Sequence, residues 1–530
     1  MSGRLAVDFG TSNTLVALWD ETAQEGIPVS LPEFSRLIRQ DNQPLPIIPS
    51  VIHYASDGRQ WIGEQVMANG LYPSERTFRW MKRYISLRSP IRLRLDDRTI
   101  SHFDAGQAFL SAILKVAREE YAIGDEEVAL TVPVEAFEYY ENWLDGVAEA
   151  AGLPRFRLID EPSAAALGYG AYILPGNVYM IFDFGGGTMH AAVVIIEEDH
   201  TAGSGRRCRV LGKAGKDIGG ASLDQWLFQE VLRRTGRSDV DEDIRRVSNS
   251  LLVECERVKE ALSFAESADL MVMDPDSGRL FAADFTRSQF EQILDEHNLY
   301  TDIDHILRSA LNAARDRGYA EEAIRDVLLV GGSSQIPSVQ RVMRQIFGKE
   351  RVRFDRPLDA VVRGAAAFIA GIDFFDYIQH DYAIRYVNPQ AGGYEFRTII
   401  PHGTPYPTHA PVSRLIVKAS YDGQTRLGLA IFEMGDLRRV HSSTPVELVF
   451  DPSGAARLMQ VSHDEQERRS SFWMNENNLT FLVADPPARQ GENRFEVEFN
   501  IDVNKRLLIT ARDVQTQRLV ASDFPVVKLT

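Results

Sequence analysis

Apolar and polar positions fall into two regimes along this chain. As far as Gly371, short apolar runs alternate with stretches of helical periodicity. Apolar runs at 5–7, 15–19, 50–54, 128–133, 157–160, 178–182, 191–196 and 326–330 predict strands, most of them buried. Helices are predicted at 105–121, where Phe109, Ile113 and Val116 share a face, and at 136–151, 222–234, 241–265, 287–317 and 358–370. Another starts at Glu161, with Pro162 in its first turn. The proline-rich stretch 27–49 reads as irregular. Beyond an aromatic connector, 374–382, the helical period disappears. Residues 495–503 alternate strictly, and 413–419, 427–432, 446–450, 479–483 and 507–511 read the same way, as half-buried strands. The expected fold is an α/β portion over 1–372, a linker over 373–382 and an all-β sandwich over 383–530.

The chemistry collects in the turns. At Asp183-Phe184-Gly185-Gly186-Gly187-Thr188 one apolar run delivers an acid, three glycines and a threonine, and a second carries the chain away. Successive glycines let backbone N–H groups face one point, as a phosphate cradle requires. Asp183 suits a hydrated Mg²⁺, which takes one or two carboxylates plus substrate phosphates, and Thr188 offers a hydroxyl. Taken alone, the run also fits a glycine-rich hairpin with a buried acid. A second copy, Asp8-Phe9-Gly10-Thr11-Ser12-Asn13, removes that balance, because two strand–Asp–Phe–Gly–turn–strand units imply two related lobes clasping one ligand. Both turns run into strands, unlike a Walker loop or a Rossmann fingerprint, which open helices. An anionic ligand gives the basic run Arg76, Arg79, Lys82, Arg83, Arg88, Arg92 and Arg94 something to bind, although such runs are usually solvated faces.

Composition narrows the partners. With 530 residues, 44% hydrophobic and 25% charged, the chain is an ordinary globular protein. A net charge of −17 argues against nucleic acid and anionic membrane as main partners. Cys208 and Cys255 form no metal-type pair and suit a reducing compartment. A strand begins almost at the N-terminus and no apolar run is long enough to span a bilayer, so the expected location is cytoplasmic.

The two glycine turns resemble those of the actin-like (ribonuclease H-like) ATPases, and the whole set of motifs resembles the seventy-kilodalton heat-shock chaperones of the DnaK type. Thr131-Val132-Pro133, Glu161-Pro162-Ser163-Ala164-Ala165-Ala166, Cys255-Glu256-Arg257-Val258-Lys259 and Val330-Gly331-Gly332-Ser333-Ser334-Gln335-Ile336-Pro337 follow in the family's order. Pro486-Pro487-Ala488-Arg489 resembles its substrate-binding domain. The resemblance implies ATP or ADP as ligand with Mg²⁺ and K⁺, unfolded or client polypeptide as partner, and a J-domain co-chaperone and a nucleotide exchange factor. By position, Lys82 matches the lysine that orients the attacking water. Asp8 and Asp183 match the carboxylates around the metal, acting through water, and Glu161 joins the water network. Thr11, Ser12 and Thr188 match hydroxyls beside the phosphates. Gly10, Asn13, Gly185, Gly186, Gly187, Gly219, Gly220, Gly331, Gly332, Ser333 and Ile336 match nucleotide-contacting turns, and Glu256, Lys259 and Ser263 match adenosine contacts.

The departures from the family pattern are specific. His190 replaces an aspartate near the cations, Glu260 and Gln335 replace two arginines that flank adenine, and Leu358 replaces an aspartate near the base. A lone histidine is a weak case for zinc. Losing two stacking cations should weaken adenine binding or loosen base preference. Glu141 stands where the family has an arginine linked to Pro133 in relaying nucleotide state. The sequence stops at Leu529-Thr530, where the family continues into a helical lid, so a lid-less member is expected. The leading reading is an ATP-dependent chaperone. Its alternative is a nucleotide-sensing pseudo-ATPase module with one dedicated partner. A sugar or acetate kinase of the same superfold is opposed by the sandwich.

Overall fold

A computed structural model describes residues 4–40, 43–134, 137–170, 174–198, 206–371, 373–375, 377–388, 393–435, 446–502 and 504–530. Ala136, Ile372, Asp376 and Val503, which fall within expected elements or boundaries, lie outside the described residues. The chain forms two compact units, and neither is continuous in sequence. The first holds Met1–Val134, Trp143–Phe375 and Val446–Gln460; the second holds Glu135–Asn142, Asp376–Pro445 and Val461–Thr530.

Two mixed sheets build the first unit, and they repeat one plan. In each, an antiparallel pair carries an Asp-Phe-Gly turn at its tip, with parallel strands beside its first member. Leu5–Phe9 pairs with Asn13–Asp20 and, in parallel, with Val128–Val132, which pairs with Phe156–Asp160. Val178–Phe184 pairs with Met189–Glu198 and, in parallel, with Ile324–Val330, which pairs with Val352–Arg353. A short loop can join antiparallel neighbours, whereas parallel ones need a long crossover. Both acids therefore sit at the turn of a tight hairpin.

One core joins the sheets. It contains Ala6, Ala17 and Ala129 of the first, Ile181, Ala192 and Leu328 of the second, and the alanine-rich helices Glu161–Gly168 and Ala360–Ile369. Small side chains let the helices approach closely and bring the two hairpin tips to one place.

The proline-rich stretch departs from expectation. Residues 27–49 are not irregular: Glu25–Pro28, Arg36–Gln40 and Gln43–Pro49 extend the first sheet. Pro44 and Pro46 fit because that end of Gln43–Pro49 pairs on one side only, with Arg36–Gln40, and the Asn13 strand meets it only at Ile48 and Pro49, so a missing N–H is tolerated. The expected helix over 287–317 is two, Arg287–Glu296 and Leu299–Asp316, broken at Asn298, whose φ is 59°. The connector residues Asp373–Phe375 add a parallel strand to Arg206–Lys216.

In the second unit, Gly393–Ile400, Asp381–Asn388, Ile431–Met434 and Ser471–Trp473 form one sheet; Ser413–Lys418, Asn493–Ile501, Arg506–Asp513 and Leu519–Lys528 form another. Both supply one core, with Tyr382, Ile400 and Ile431 from the first sheet and Phe495, Val497, Phe499 and Ile509 from the second. A short helix, His463–Arg469, interrupts the expected all-β pattern. Residues 446–450 do form a strand, but it belongs to the first unit.

Candidate functional site

The two glycine turns meet face to face. A Cβ on Gly186 would lie 2.5 Å from Ser12 Oγ, and one on Gly187 would lie 2.4 Å from Thr11 Oγ1, so a side chain at either position would displace the hydroxyl facing it. Between and behind them lies a cavity of about 370 Å³. Asp8, Gly10, Thr11, Ser12 and Asn13 line it from the first hairpin, and Asp183, Gly185, Gly186, Gly187 and Thr188 from the second. Lys82, Glu161, Gly220, Glu256, Lys259, Ser263, Gly331, Gly332, Ser333 and Ile336 line the same cavity.

Gly219 and His190 are not among the lining residues. Gly219 backs the cradle: a Cβ there would strike the Gly187 backbone at 2.4 Å. Gly220 and Ala221 donate N–H bonds to the Gly185 and Gly186 carbonyls at 3.0 and 2.8 Å, so the start of helix Gly220–Thr235 anchors the glycine turn. His190 is fully buried and pairs in register with Asp183.

At the floor of the cavity, Lys82 on helix Met81–Ser86 donates to Glu161, the first residue of its own helix. Asp8 accepts from Thr131 Oγ1 at 2.7 Å. Asp8, Glu161 and Asp183 are all buried. Burial pushes the Asp183 carboxyl up to about 8, the Glu161 and Asp8 charges add to that, and Lys82 opposes it. Burial likewise raises Glu161 and Asp8 against the pull of Lys82. Once ionised, three buried acids facing one lysine carry an excess of negative charge that a cation would relieve. Among the described residues, no group of three His, Cys, Asp or Glu encloses a metal. The donor set fits a hydrated Mg²⁺ held through water by Asp8 and Asp183, since Mg²⁺ keeps several waters and takes substrate phosphates.

At the other end of the cavity the polar groups are already engaged. Lys259 pairs with the buried Asp224 at 2.8 Å, and Glu256 accepts from Tyr72 Oη at 2.6 Å. Back at the floor, behind the lining, Asp160 caps the Glu161 helix through the Ser163 N–H at 3.0 Å and pairs with Lys213 at 2.9 Å. Sequence reasoning missed Asp224, Tyr72 and Lys213, because each lies between 35 and 184 residues from its partner. Glu260, Gln335 and Leu358 line the Lys259 end, joined by Arg36, Ile38 and Arg39 from the strand expected to be irregular. Guanidinium groups are thus supplied from the first sheet. In the second unit, Glu141 pairs with Lys528 at 3.1 Å, a partner that suits its reversed charge.

No helix among the described residues is long and apolar enough to cross a membrane. A family model described as Hsp70 protein matches residues 106–442, more than half of the chain. A chaperone protein HscA homolog of Bordetella petrii is 26% identical over 536 residues, covering 97% of this chain and 76% of that protein. The Asp8 turn lies outside the span matched by the family model, yet it abuts the Asp183 turn within it.

Proposed function

This chain belongs to the Hsp70 family of chaperones, and we propose that its first unit binds and hydrolyses ATP to control polypeptide binding by its second. One observation carries this reading: the two glycine turns face each other above a buried Lys82–Glu161 pair. The turns of Gly10–Asn13 and Gly185–Thr188 cradle the phosphates, and the Glu256, Lys259 and Ser263 end takes the nucleoside. Asp8 and Asp183 would hold a hydrated Mg²⁺ through water, and the ion would supply charge neutralisation at the phosphates. Lys82 orients the attacking water and offsets the charge that develops on the transferring group. Glu161, whose basicity burial raises, receives the water's proton as the γ-phosphorus bond to the leaving oxygen breaks. The second unit, with its antiparallel sheets, binds unfolded polypeptide. Its partners are a J-domain protein and an exchange factor, and its setting is the cytoplasm.

A single-turnover reaction tests the reading, with protein in excess over labelled ATP and Mg²⁺ present. Retained label converted to ADP supports it. Retention without conversion turns the chain into a nucleotide sensor, and no retention removes the nucleotide reading.

A further inference from the structure

The hairpin Val446–Phe450 and Ala456–Gln460 has no counterpart in the mechanism above. Second-unit residues flank it in sequence on both sides, yet it belongs to the first unit. Its two strands pair from Val446↔Gln460 to Phe450↔Ala456. The tip is held by Asp451, whose carboxylate accepts from the Ser453 N–H at 2.8 Å and the Ala455 N–H at 3.2 Å. Gly454 has a φ of 91°, and a Cβ there would strike the Glu75 carbonyl at 2.1 Å, so the tip is closely seated.

One side of the hairpin grips the helix that carries Lys82. Phe450 is 3% exposed. Its ring lies 6.2 Å from Trp80, 6.0 Å from Tyr84 and 6.0 Å from His102, with the Arg79 guanidinium at 5.4 Å. Trp80 caps the Met81–Ser86 helix and Tyr84 lies within it, so Phe450 touches residues on either side of Lys82 in the chain. Tyr84 Oη also donates to the Leu448 carbonyl at 2.7 Å, and the Arg94 N–H donates to that of Pro452 at 2.8 Å.

The other side grips the helix that anchors the second glycine turn, Gly220–Thr235, and the helix that follows it, Glu242–Phe264. Gln225 on Gly220–Thr235 donates to the Val446 carbonyl at 2.7 Å and accepts from the Leu448 N–H at 2.8 Å, pairing with the strand edge as a neighbouring strand would. On Glu242–Phe264, Asn249 donates to the Gly454 carbonyl at 2.9 Å and Ser248 accepts from the Ala456 N–H at 3.0 Å. These same helices carry Gly220, Glu256 and Lys259 of the cavity. Beside the hairpin, Arg79 donates to Asn249 at 2.6 Å and Arg83 to Ser222 at 2.9 Å. Arg79 is 1% exposed, and its Nε and Nη1 make no hydrogen bond among the described residues. The faces of Phe450 and Tyr72 cover it instead, the latter at 5.0 Å.

We propose that this hairpin is an intrachain clasp that ties the lysine helix to helices Gly220–Thr235 and Glu242–Phe264. Bound nucleotide then escapes only when Phe450 and the Gln225 contact let go. Phe450 is a positioning residue, acting through Trp80 and Tyr84. The proposal rests on the nucleotide reading given above. Separating these elements without releasing the hairpin would strip both edge bonds of Gln225 and uncover a buried guanidinium, each a desolvation cost.

The test uses the full chain loaded with a fluorescent ADP analogue and chased with unlabelled ADP in a stopped-flow instrument. Phe450→Ala is expected to speed release at least tenfold while changing the association rate much less. Phe450→Leu should restore slow release, and Gln225→Ala, which removes only the edge pairing, should speed it severalfold. If Phe450→Ala does not fold, Gln225→Ala and Tyr84→Phe decide the matter. Unchanged release in folded variants overturns the clasp alone. A wild-type chain that holds no nucleotide overturns the nucleotide reading, and the clasp with it.

Discussion

Asp183 carries a proton that most aspartates have lost. Its carboxyl is pushed up to about 8 in the nucleotide-free fold, from an ordinary value of 3.8. Between those values the folded state holds a proton that the unfolded chain releases, so this group makes stability fall as pH rises through the interval. Asp183→Asn should flatten that slope and raise the melting temperature above wild type at pH 8, with little change near pH 4; parallel melting curves for both proteins across that range would exclude it. Lys82 opposes the upward shift. Lys82→Ala should therefore keep nucleotide binding, slow hydrolysis by about 10²–10³-fold, and lose more stability at pH 8 than at pH 6. Unchanged turnover would remove Lys82 from the chemistry. His190, paired in register with Asp183 and fully buried, tests the same field from behind. His190→Asp adds an acid beside acids, so we expect lower stability without ligand and a steeper dependence of turnover on Mg²⁺. If turnover and Mg²⁺ dependence both stay put, His190 is a packing residue.

Between elements, the cradle depends on contacts that no single motif displays. Gly219 looks like a phosphate ligand from its place in Asp217-Ile218-Gly219-Gly220, but its space is taken by the Gly187 backbone. Gly219→Ala should push the glycine turn outward, lower nucleotide affinity at least tenfold and cost about 1–3 kcal/mol of stability, as overpacking does; equilibrium binding and thermal melts would read both. The two Asp-Phe-Gly hairpins were legible because apolar run, acid and glycine follow one another within ten residues, and the helix at Glu161 because Pro162 marks its first turn. The hairpin of Arg36–Gln40 and Gln43–Pro49 was not, since prolines on a strand at the sheet margin look the same as prolines in a loop. The same holds for Val446–Phe450. Its alternation correctly marks a strand, but alternation reports that one face is buried and says nothing about which unit buries it. Lys259 and Glu256 were recognised by position, while their partners Asp224 and Tyr72 arrive only through the fold.

For the whole chain, the proposed chaperone cycle requires that nucleotide and polypeptide each change the affinity for the other. Such coupling is reciprocal: if ATP weakens peptide binding by some factor, the peptide must weaken ATP binding by the same factor. The interleaved sequence of the two units gives this a covalent route. The clasp hairpin is flanked by second-unit residues at both ends, and Asp373–Phe375 pairs with the second sheet just before the second unit begins. A change at either end of the hairpin can therefore be felt by the helix that carries Lys82. We expect a labelled unfolded model peptide to bind about 5–150-fold more weakly with ATP than with ADP, the range typical of allosteric coupling. Fluorescence anisotropy with hydrolysis blocked by Lys82→Ala would measure it. Phe450→Ala should reduce the ratio toward one while leaving peptide affinity in ADP unchanged, because the hairpin core is not part of the second unit. A ratio of one in a chain that retains ATP would uncouple the two units, and the nucleotide would then serve only to stabilise the first. A ratio that survives Phe450→Ala would place the coupling elsewhere, with the Asp373–Phe375 strand the next element to break.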